Sequence, residues 1–496
     1  MQEREAKLSA PPELSLSDLI AASGGDDVVA RPLPVRRLRT TYYDTEDLRL
    51  ARWGLSLRYR GGEGWTVKLP EGSQGPLLVR DEIVFDGPST RPPAPAVEMV
   101  RAYARAAALR PVARLRTSRH PVELLDRDEH RLGELTDDHV AVMDGTRVAR
   151  RFREVEVELA GDAPDGALDG LLDRLLAAGA RPDRIASKYL QALGDRGEVT
   201  PEVVVGQLGK GATVVELLRH DLSAGVLRVF RHDPGVRLGE DPEAVHQARV
   251  GTRRLRSTLR TFHTLLEPGW TSRLRAETKW LADRLGAVRD ADVLLARLEG
   301  DLGLLTAADA RDGGALLDRL RGERNRARTR LLGAMRDERY TRLLDDLLAA
   351  ASAPATLDGD RRAVDPALPL VKRTWRKLRK EVDRAGPDPT DEALHRVRIR
   401  AKHCRYAAEM VAPVAGGPAV RFAAAVEAVQ DILGEHHDAI VAEQWLRGAA
   451  TRVGEGPAAL AAGQLIAAQR AAAVDGRGRW AAAWKQLDRK KLRAWF

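Results

Sequence analysis

The chain has 496 residues, enough for two or three domains, and its 81 lysines and arginines outnumber its 72 acidic residues. The basic excess lies after residue 200, where 51 basic residues stand against 39 acidic ones, so this part favours a polyanionic partner. An aromatic content of 4% disfavours single-stranded nucleic acids, which bind on stacking platforms. The single cysteine, Cys404, excludes a disulfide framework, and there is neither a basic-then-apolar leader nor an apolar run of about 18 residues. We therefore expect a cytoplasmic protein.

Short strands with one charged face are predicted throughout the first 195 residues. EREAK, LRYR, WTVK, VRDE and REVEVEL each place polar or charged residues two positions apart, which puts them on one face of a β-strand. The charged faces carry Glu3, Glu5, Lys7, Arg58, Arg60, Lys68, Arg80, Glu82, Glu154, Glu156 and Glu158. A solvated face would mix charges with Ser, Thr and Asn, whereas these faces hold almost only charged groups. Closing such strands into a barrel turns the charges inward, where they must pair or hold ions and a charged ligand. A metal-bound triphosphate suits that interior.

A polar linker, Gly194 to Glu202, separates these strands from a second part that is predicted to be entirely helical. Residues 203–496 are rich in Leu, Ala and Arg with helical periodicity, and the Ala, Pro, Asp and Gly content of residues 351–370 divides them into two halves.

One pattern occurs in both halves. HQARVGTRRLR and HRVRIRAKHCR each place a histidine and three cations at steps of three, four and three, which is one face of a helix. LGAVRDADV in the first half corresponds to LGEHHDAIV in the second, so the repeat covers more than one helix. Two such helices can form one basic groove. The cations assigned to it, with those of the helix VKRTWRKLRK, are His246, Arg249, Arg253, Arg256, Arg260, Lys372, Arg373, Arg376, Lys377, His395, Arg398, Lys402 and Arg405. We interpret Asp290 and Asp438 as carboxylates that orient these cations and not as metal ligands.

The motifs resemble two known families. E-x-E-x-K at Glu3, YYDT, LRYR, R-x-E at Arg80, the E-V-E-V-E strand and SKYL at Ser187 resemble the CYTH, or triphosphate tunnel metalloenzyme, family over about residues 1–195. The duplicated histidine helices resemble the CHAD domain, which is associated with inorganic polyphosphate, over about residues 200–496, with halves of about 200–350 and 370–496. The resemblance implies an α+β domain with an eight-stranded antiparallel β tunnel and flanking helices. An all-α domain of two pseudo-symmetric helical-bundle halves would follow it.

The CYTH resemblance also implies the roles of individual residues. Mg²⁺ or Mn²⁺ would be bound by Glu3, Glu5, Glu154, Glu156 and Glu158. The side chains that would contact phosphates or complete the site are Lys7, Arg58, Arg60, Lys68, Arg80, Glu82, Arg119 and Lys188. Arg116 is an alternative to Arg119, and a further acidic residue is either Asp137 or Asp138. His120, His130 and His139 are interpreted as loop or surface residues.

The function expected from these patterns is hydrolysis of inorganic tripolyphosphate by a metal-dependent triphosphatase, with a helical domain that binds long-chain polyphosphate. Polyphosphate granules are an expected location, and nucleic acid and membranes are not expected partners. Two alternatives stay open. The protein could be a non-catalytic polyphosphate-binding or granule-targeting protein, or its tunnel could act on an organic triphosphate, such as thiamine triphosphate or ATP, or as an adenylate cyclase.

Overall fold

The computed structural model describes residues 2–11, 14, 16, 28–74, 77–161, 163–164, 166–182, 187–453 and 456–496, without the side chains of residues 2–4, 70–74, 77–81, 182 and 453. The chain divides into two compact units, Met1–Glu202 and Val203–Phe496. Within the described ranges, every helix is too short or too polar to cross a lipid bilayer.

The first unit consists mainly of β-strands. The strands are β1 Gln2–Ser9, β2 Val29–Pro32, β3 Arg36–Asp44, β4 Ser56–Arg60, β5 Gly64–Gln74, β6 Leu77–Phe85, β7 Arg110–Leu125, β8 Arg131–Asp144, β9 Arg147–Leu159 and β10 Arg181–Pro182. The helices are α1 Arg49–Arg52, α2 Ala94–Ala104, α3 Asp169–Ala177 and α4 Lys188–Leu193, and a 3-10 turn at Gly194–Gly197 follows.

Eight of these strands close into an antiparallel ring. They pair in the order β1, β6, β5, β4, β3, β7, β8, β9, and β1 also pairs with β9 along its other edge. The short strands β2 and β10 flank β7 and β1. The prediction of an eight-stranded antiparallel tunnel is therefore confirmed.

Alternation along β1 and along residues 155–159 of β9 separates an apolar outer face from a charged interior. On β1, Ala6 and Leu8 face outward with Val155 and Val157 of β9, and together they pack against apolar residues of α3. The residues between them face the interior, where Lys7 stands opposite Glu156. Burying the outer face against helices is what allows the charged faces to point into the ring.

Part of the interior is filled by apolar side chains. Tyr189 of α4 stacks on Tyr42 of β3 with ring centroids 4.9 Å apart, and both belong to a core that includes Leu115 and Val140. Apolar residues and α4 thus occupy one part of the barrel, and the charged residues occupy another.

The described secondary structure of the second unit is helical, apart from turns and two isolated β-bridges, Thr213–Arg362 and Leu266–Thr356. Its helices are α5 Val214–Leu238, α6 Pro242–Thr261, α7 Pro268–Leu302, α8 Ala307–Arg336, α9 Glu338–Ser352, α10 Val364–Ala385, α11 Asp391–Ala415, α12 Gly417–Val453, α13 Pro457–Leu487 and α14 Lys490–Arg493, with a 3-10 turn at His263–Leu265.

The two halves of this unit repeat one packing arrangement. In the first half α6 packs against α5 and α7, and in the second α11 packs against α10 and α12 in the same way. The histidine helices α6 and α11 also contact each other. Both begin at a side-chain cap, because Asp241 and Thr390 accept hydrogen bonds from backbone N–H groups of the first turn. The predicted all-α second domain is confirmed.

Candidate functional site

Helix α4 delivers a lysine into the interior of the barrel. The Ser187 side chain accepts a hydrogen bond from the Leu190 N–H and so begins the helix. The Tyr189 hydroxyl donates to Asp44 at 2.6 Å, and Asp44, which is fully buried, also accepts from the N–H groups of Leu50 and Ala51 at 2.9 Å. This latch fixes α4 against the barrel, and Lys188 therefore projects among the charged strands.

Lys188 lies at the centre of a buried cluster of carboxylates. Its Nζ is 2.8 Å from Asp138 Oδ2, 2.8 Å from Glu154 Oε1 and 2.7 Å from Glu156 Oε2. All three carboxylates come from β8 and β9, where Asp138 is the register partner of Glu154. Strand pairing and the one-faced run of glutamates together create this arrangement.

Two further cations complete the cluster. Lys7 on β1 reaches Glu156 at 2.8 Å and Glu5 at 3.3 Å. The Arg119 guanidinium donates to Asp138 at 2.7 Å and to Glu156 at 3.1 Å. Cations and carboxylates thus alternate inside the barrel, which is the pairing that charges need when they are removed from water.

This environment shifts the ionisation of the cluster in opposite directions. Burial raises the pKa of the Glu154 carboxyl to about 7. Burial alone would also raise the pKa of Glu156, but Lys188, Lys7 and Arg119 hold it well below its ordinary value. The same carboxylates raise the pKa of Lys188 against the effect of burial, so the ammonium keeps its proton.

A second group of charges lies on β4, β5 and β6. Arg58 donates to Glu82 at 3.0 Å, and Lys68 lies 2.9 Å from the same carboxylate. Arg60 donates to the Thr40 hydroxyl at 3.2 Å and to Glu63 at 2.9 Å. The three cations are buried, and burial and neighbouring Arg58 lower the pKa of Arg60. Concentrated cations of this kind suit an anion with several oxygens.

The carboxylate cluster also fits a divalent metal ion. The ammonium of Lys188 is held by three carboxylate oxygens at 2.7–2.8 Å. It thus occupies a position where the same oxygens could bind a divalent metal ion. Hard divalent ions prefer such oxygen ligands. Outside the barrel, Asp126, Asp128 and His130 also bring ligand atoms together, but Asp126 accepts from the backbone N–H groups of both other residues, as in an ordinary turn.

Not every residue predicted for the tunnel lies in the cluster. Glu158 is exposed, and the side chains of Glu3 and Arg80 lie outside the described residues. The alternatives separate by strand face. Arg119 and Asp138 point inward, whereas Arg116 is exposed and Asp137 binds Arg153 at 2.8 Å. His120 and His139 form an exposed edge-to-face pair.

In the helical unit, three cavities follow one another along α6 and α11. The first, of about 520 Å³, and the second, of about 470 Å³, share Arg253 and Lys402 in their walls. The second and a third cavity of about 110 Å³ share Arg260 and His403. We call the three cavities together the basic groove. Lining residues from the predicted set are His246, Arg249, Arg253, Arg256, Arg260, Arg373, Lys377, His395, Arg398 and Lys402.

The repeat reappears in the geometry of the first cavity. Arg249 binds Asp290 at 2.5 Å, and Arg398 lies 3.9 Å from Asp438. Each arginine also lies beside the glycine of the repeated Leu-Gly pair. A Cβ added to Gly286 would lie 3.8 Å from the Arg249 guanidinium, and a Cβ added to Gly434 would lie 3.7 Å from the Arg398 guanidinium. Asp290 and Asp438 lie beside the cations, as their interpreted role requires.

Burial and neighbouring cations lower the pKa values of several basic side chains in the groove. Burial, with Arg398, Arg253 and Arg249 nearby, lowers the pKa of Lys402 to about 7. Burial and Arg398 lower that of His437 to about 4, and burial and Arg260 lower that of His403 to about 3. The groove is therefore a region of strong positive potential in which neutral forms are favoured until an anion enters.

Sequence reasoning assigned some residues to the groove that do not line it and missed others. Arg405 binds Glu409 at 2.9 Å and Glu427 at 2.8 Å, and Lys372 and Arg376 are exposed away from the three cavities. Residues that were missed include Ser257, Arg275, Lys279, His403 and Tyr406 in the second cavity, Arg289, Arg297 and His437 in the first, and Arg400 in the third. Arg275 and Lys279, four residues apart on α7, carried a helical signal that the repeat did not include.

The CYTH domain model matches residues 1–178, and the CHAD domain model matches residues 221–447. The protein thus combines a CYTH domain with a CHAD domain in the predicted order. Two proteins of Mycobacterium tuberculosis, one from each of two strains and both described as uncharacterized, are 33% identical over 443 residues, which cover 83% of this chain and 82% of the relative. The chain belongs to the family of these relatives.

Solved structures also resemble parts of the chain. PptA from Streptomyces chartreusis is 28% identical, with a match that covers 55% of this chain and 100% of that protein and a TM-score of 0.47. The CHAD domain from the plant Ricinus communis is 28% identical, and its match covers 59% of this chain and 96% of that domain with a TM-score of 0.44.

Proposed function

We propose that the first unit is a metal-dependent triphosphatase that hydrolyses inorganic tripolyphosphate and that the helical unit binds long-chain inorganic polyphosphate. The observation that supports the first part is the alternation of buried cations and carboxylates inside the closed barrel. Phosphoryl transfer needs positioning and charge stabilisation more than covalent chemistry, and an enclosed set of charged groups supplies both.

One group of residues would bind the phosphates, and a second group would bind the metal ion. Arg58, Lys68 and Arg60 bind phosphate oxygens, and the guanidiniums do so as two-pronged donors. Lys188, which the latch holds in place, would donate to a phosphate oxygen of the bound substrate. Glu154, with its neighbouring glutamates Glu5 and Glu156, would hold Mg²⁺ or Mn²⁺, which neutralises charge on the phosphates and lowers the pKa of a bound water.

The double variant Glu154→Gln, Glu156→Gln tests the tunnel directly. We expect metal-dependent phosphate release from tripolyphosphate to fall to background while the thermal unfolding transition is retained, because two charged ligands are lost from one site. The double variant Glu46→Gln, Glu129→Gln is the matched control, since both carboxylates are exposed and neither belongs to the charged interior. Unchanged phosphate release in the double variant would refute the tunnel assignment.

A substrate screen separates the open alternatives. Phosphate release is measured with tripolyphosphate, ATP and thiamine triphosphate, each with Mg²⁺ and with Mn²⁺. We expect the highest kcat/KM for tripolyphosphate, because the buried cations Arg58, Arg60 and Lys68 match phosphate oxygens. Faster turnover of an organic triphosphate would identify that compound as the preferred substrate. If none of the three compounds were hydrolysed, the non-catalytic alternative would be favoured.

The basic groove supports the second part of the proposal. Its cations outnumber its carboxylates, and Arg253 and Lys402 lie where the two largest cavities meet. Replacing both by Ala should weaken binding of long-chain polyphosphate more than replacing the exposed Arg311 and Arg452. Affinity should also fall steeply with salt, because bound polyanion releases counterions. Equal losses in the two double variants would mean that net charge alone drives binding.

Polyphosphate binding would bring the protein to polyphosphate granules in the cytoplasm. A fluorescent fusion of the full chain should colocalise with granules, and the Arg253→Ala, Lys402→Ala variant should lose that colocalisation.

A further inference from the structure

The outer face of the barrel carries a patch of arginines that neither the tunnel nor the groove uses. The patch consists of Arg37 and Arg39 on β3, Arg114 and Arg116 on β7, and Arg151 on β9, and all five are exposed. We call it the outer arginine patch. Among the described residues, no carboxylate forms an ion pair with any of the five.

Strand register places these arginines in one array. Arg39 is directly opposite Arg116, and Arg116 is opposite Ala141 of β8, which in turn is opposite Arg151. Since neighbouring strands are about 4.8 Å apart, the row crosses the four strands over roughly 14 Å. Arg37 and Arg114 flank the row on either side, two residues away along their strands.

The patch lies where the barrel has no helical cover. On β1 and the end of β9 the outer face is apolar and packs against α3, and β5 contacts α2. Here the outward positions hold like charges instead, and two arginines directly opposite each other on adjacent strands destabilise a sheet. A solvated surface would avoid that cost by mixing signs, as Arg153 and Asp137 do nearby at 2.8 Å. A bound anion would offset it.

We propose that the outer arginine patch is a second polyanion-binding surface and that its ligand is inorganic polyphosphate. Guanidinium forks bind phosphate oxygens in pairs, and the five positions offer only such forks. A single-stranded nucleic acid would need aromatic platforms for its bases, and the row offers Ala141 between its arginines instead. A uniform chain of phosphates needs no such platform. The surface is distinct from the tunnel because these side chains point away from the interior.

The test uses the full chain with its groove weakened by Arg253→Gln, Arg398→Gln and Lys402→Gln. In this background we add Arg39→Gln, Arg116→Gln and Arg151→Gln, and in a control we add Arg91→Gln, Arg147→Gln and Arg181→Gln, which are equally exposed. The patch variant should bind labelled long-chain polyphosphate about tenfold more weakly than the control variant. Its slope of log affinity against log salt should be smaller by roughly two, at about 0.7–0.9 for each lost cation.

Arginine footprinting with phenylglyoxal gives a second readout in the unmodified protein. Polyphosphate should protect Arg39, Arg116 and Arg151 from modification, and the groove arginines are read separately in the same digest. Equal affinities of the patch and control variants, or no protection of the patch, would overturn the proposal whatever the groove and the tunnel do. If single-stranded DNA or polyglutamate protected the patch equally well, the patch would not be specific for polyphosphate, and the assignment of polyphosphate as its ligand would be wrong.

Discussion

Lys402 gives the sharpest prediction for the basic groove. Burial and three nearby arginines lower its pKa from 10.5 to about 7. In the unfolded chain the lysine keeps its ordinary pKa, so between about pH 7 and about pH 10.5 the unfolded state binds more protons than the folded state. The stability of the ligand-free protein should therefore rise with pH across that window and be level below it. The full charging cost corresponds to on the order of 5 kcal/mol, an upper bound because the side chain can turn towards solvent.

Bound polyphosphate should offset the cost of charging Lys402. A bound polyanion favours the charged lysine, so binding takes up close to one proton at about pH 8, where the free side chain is mostly neutral. Affinity should fall by up to tenfold for each pH unit above about 7. Burial lowers the pKa of both His246 and His395 below the ordinary value of 6.5, so we assign the pH dependence above pH 7 to Lys402 and not to these histidines.

The assay is titration calorimetry at constant ionic strength from about pH 6 to about pH 9, in pairs of buffers with different ionisation enthalpies. Lys402→Met should abolish the proton uptake, flatten the pH dependence and raise the unfolding midpoint of the ligand-free protein. Arg256→Gln is the matched control, because it removes a guanidinium from the same groove and guanidiniums stay charged over this range. It should weaken binding without changing the slope. An unaltered slope in Lys402→Met would refute the reasoning.

Two further predictions concern the tunnel. Tyr189→Phe removes the hydroxyl that donates to buried Asp44, and the first unit should lose about 1–3 kcal/mol of unfolding free energy in chemical denaturation; an unchanged midpoint would mean that the latch contributes nothing. Arg58→Ala and Lys68→Ala each remove a charge-assisted contact of about 1.5–3 kcal/mol, so kcat/KM for tripolyphosphate should fall about ten- to hundredfold in each. Kinetics like those of the unaltered protein in both variants would show that these side chains do not reach the substrate.

Strand alternation was enough to predict which residues face the tunnel, but not how the strands meet. The run Glu154, Val155, Glu156 fixes its own faces, because successive side chains point to opposite sides. The choice between Asp137 and Asp138 depends on the pairing of β8 with β9, where Asp138 stands opposite Glu154. Register is a property of two strands, so one sequence segment cannot supply it.

The same limit applies to the helical unit. The spacing of Arg249, Arg253 and Arg256 predicts one basic stripe on α6, and this stripe lines the groove. Arg275 and Lys279 line the second cavity from α7, and only helix packing brings them there. The outer arginine patch likewise needs the strand order β3, β7, β8, β9, which brings together residues far apart in the chain.

The two units handle buried charge in opposite ways, and this difference determines how each would respond to a ligand. In the tunnel, carboxylates raise the pKa of Lys188 against the effect of burial, so its charge is already compensated, and under the proposed function a divalent metal ion would compete with the ammonium for oxygen ligands. In the groove, burial and the neighbouring arginines lower the pKa of Lys402, so a charge on this lysine is uncompensated until an anion binds beside it. Tunnel occupancy should therefore depend on the concentration of divalent metal. Groove occupancy should depend on pH and salt, and the two ligands could be controlled independently in one chain.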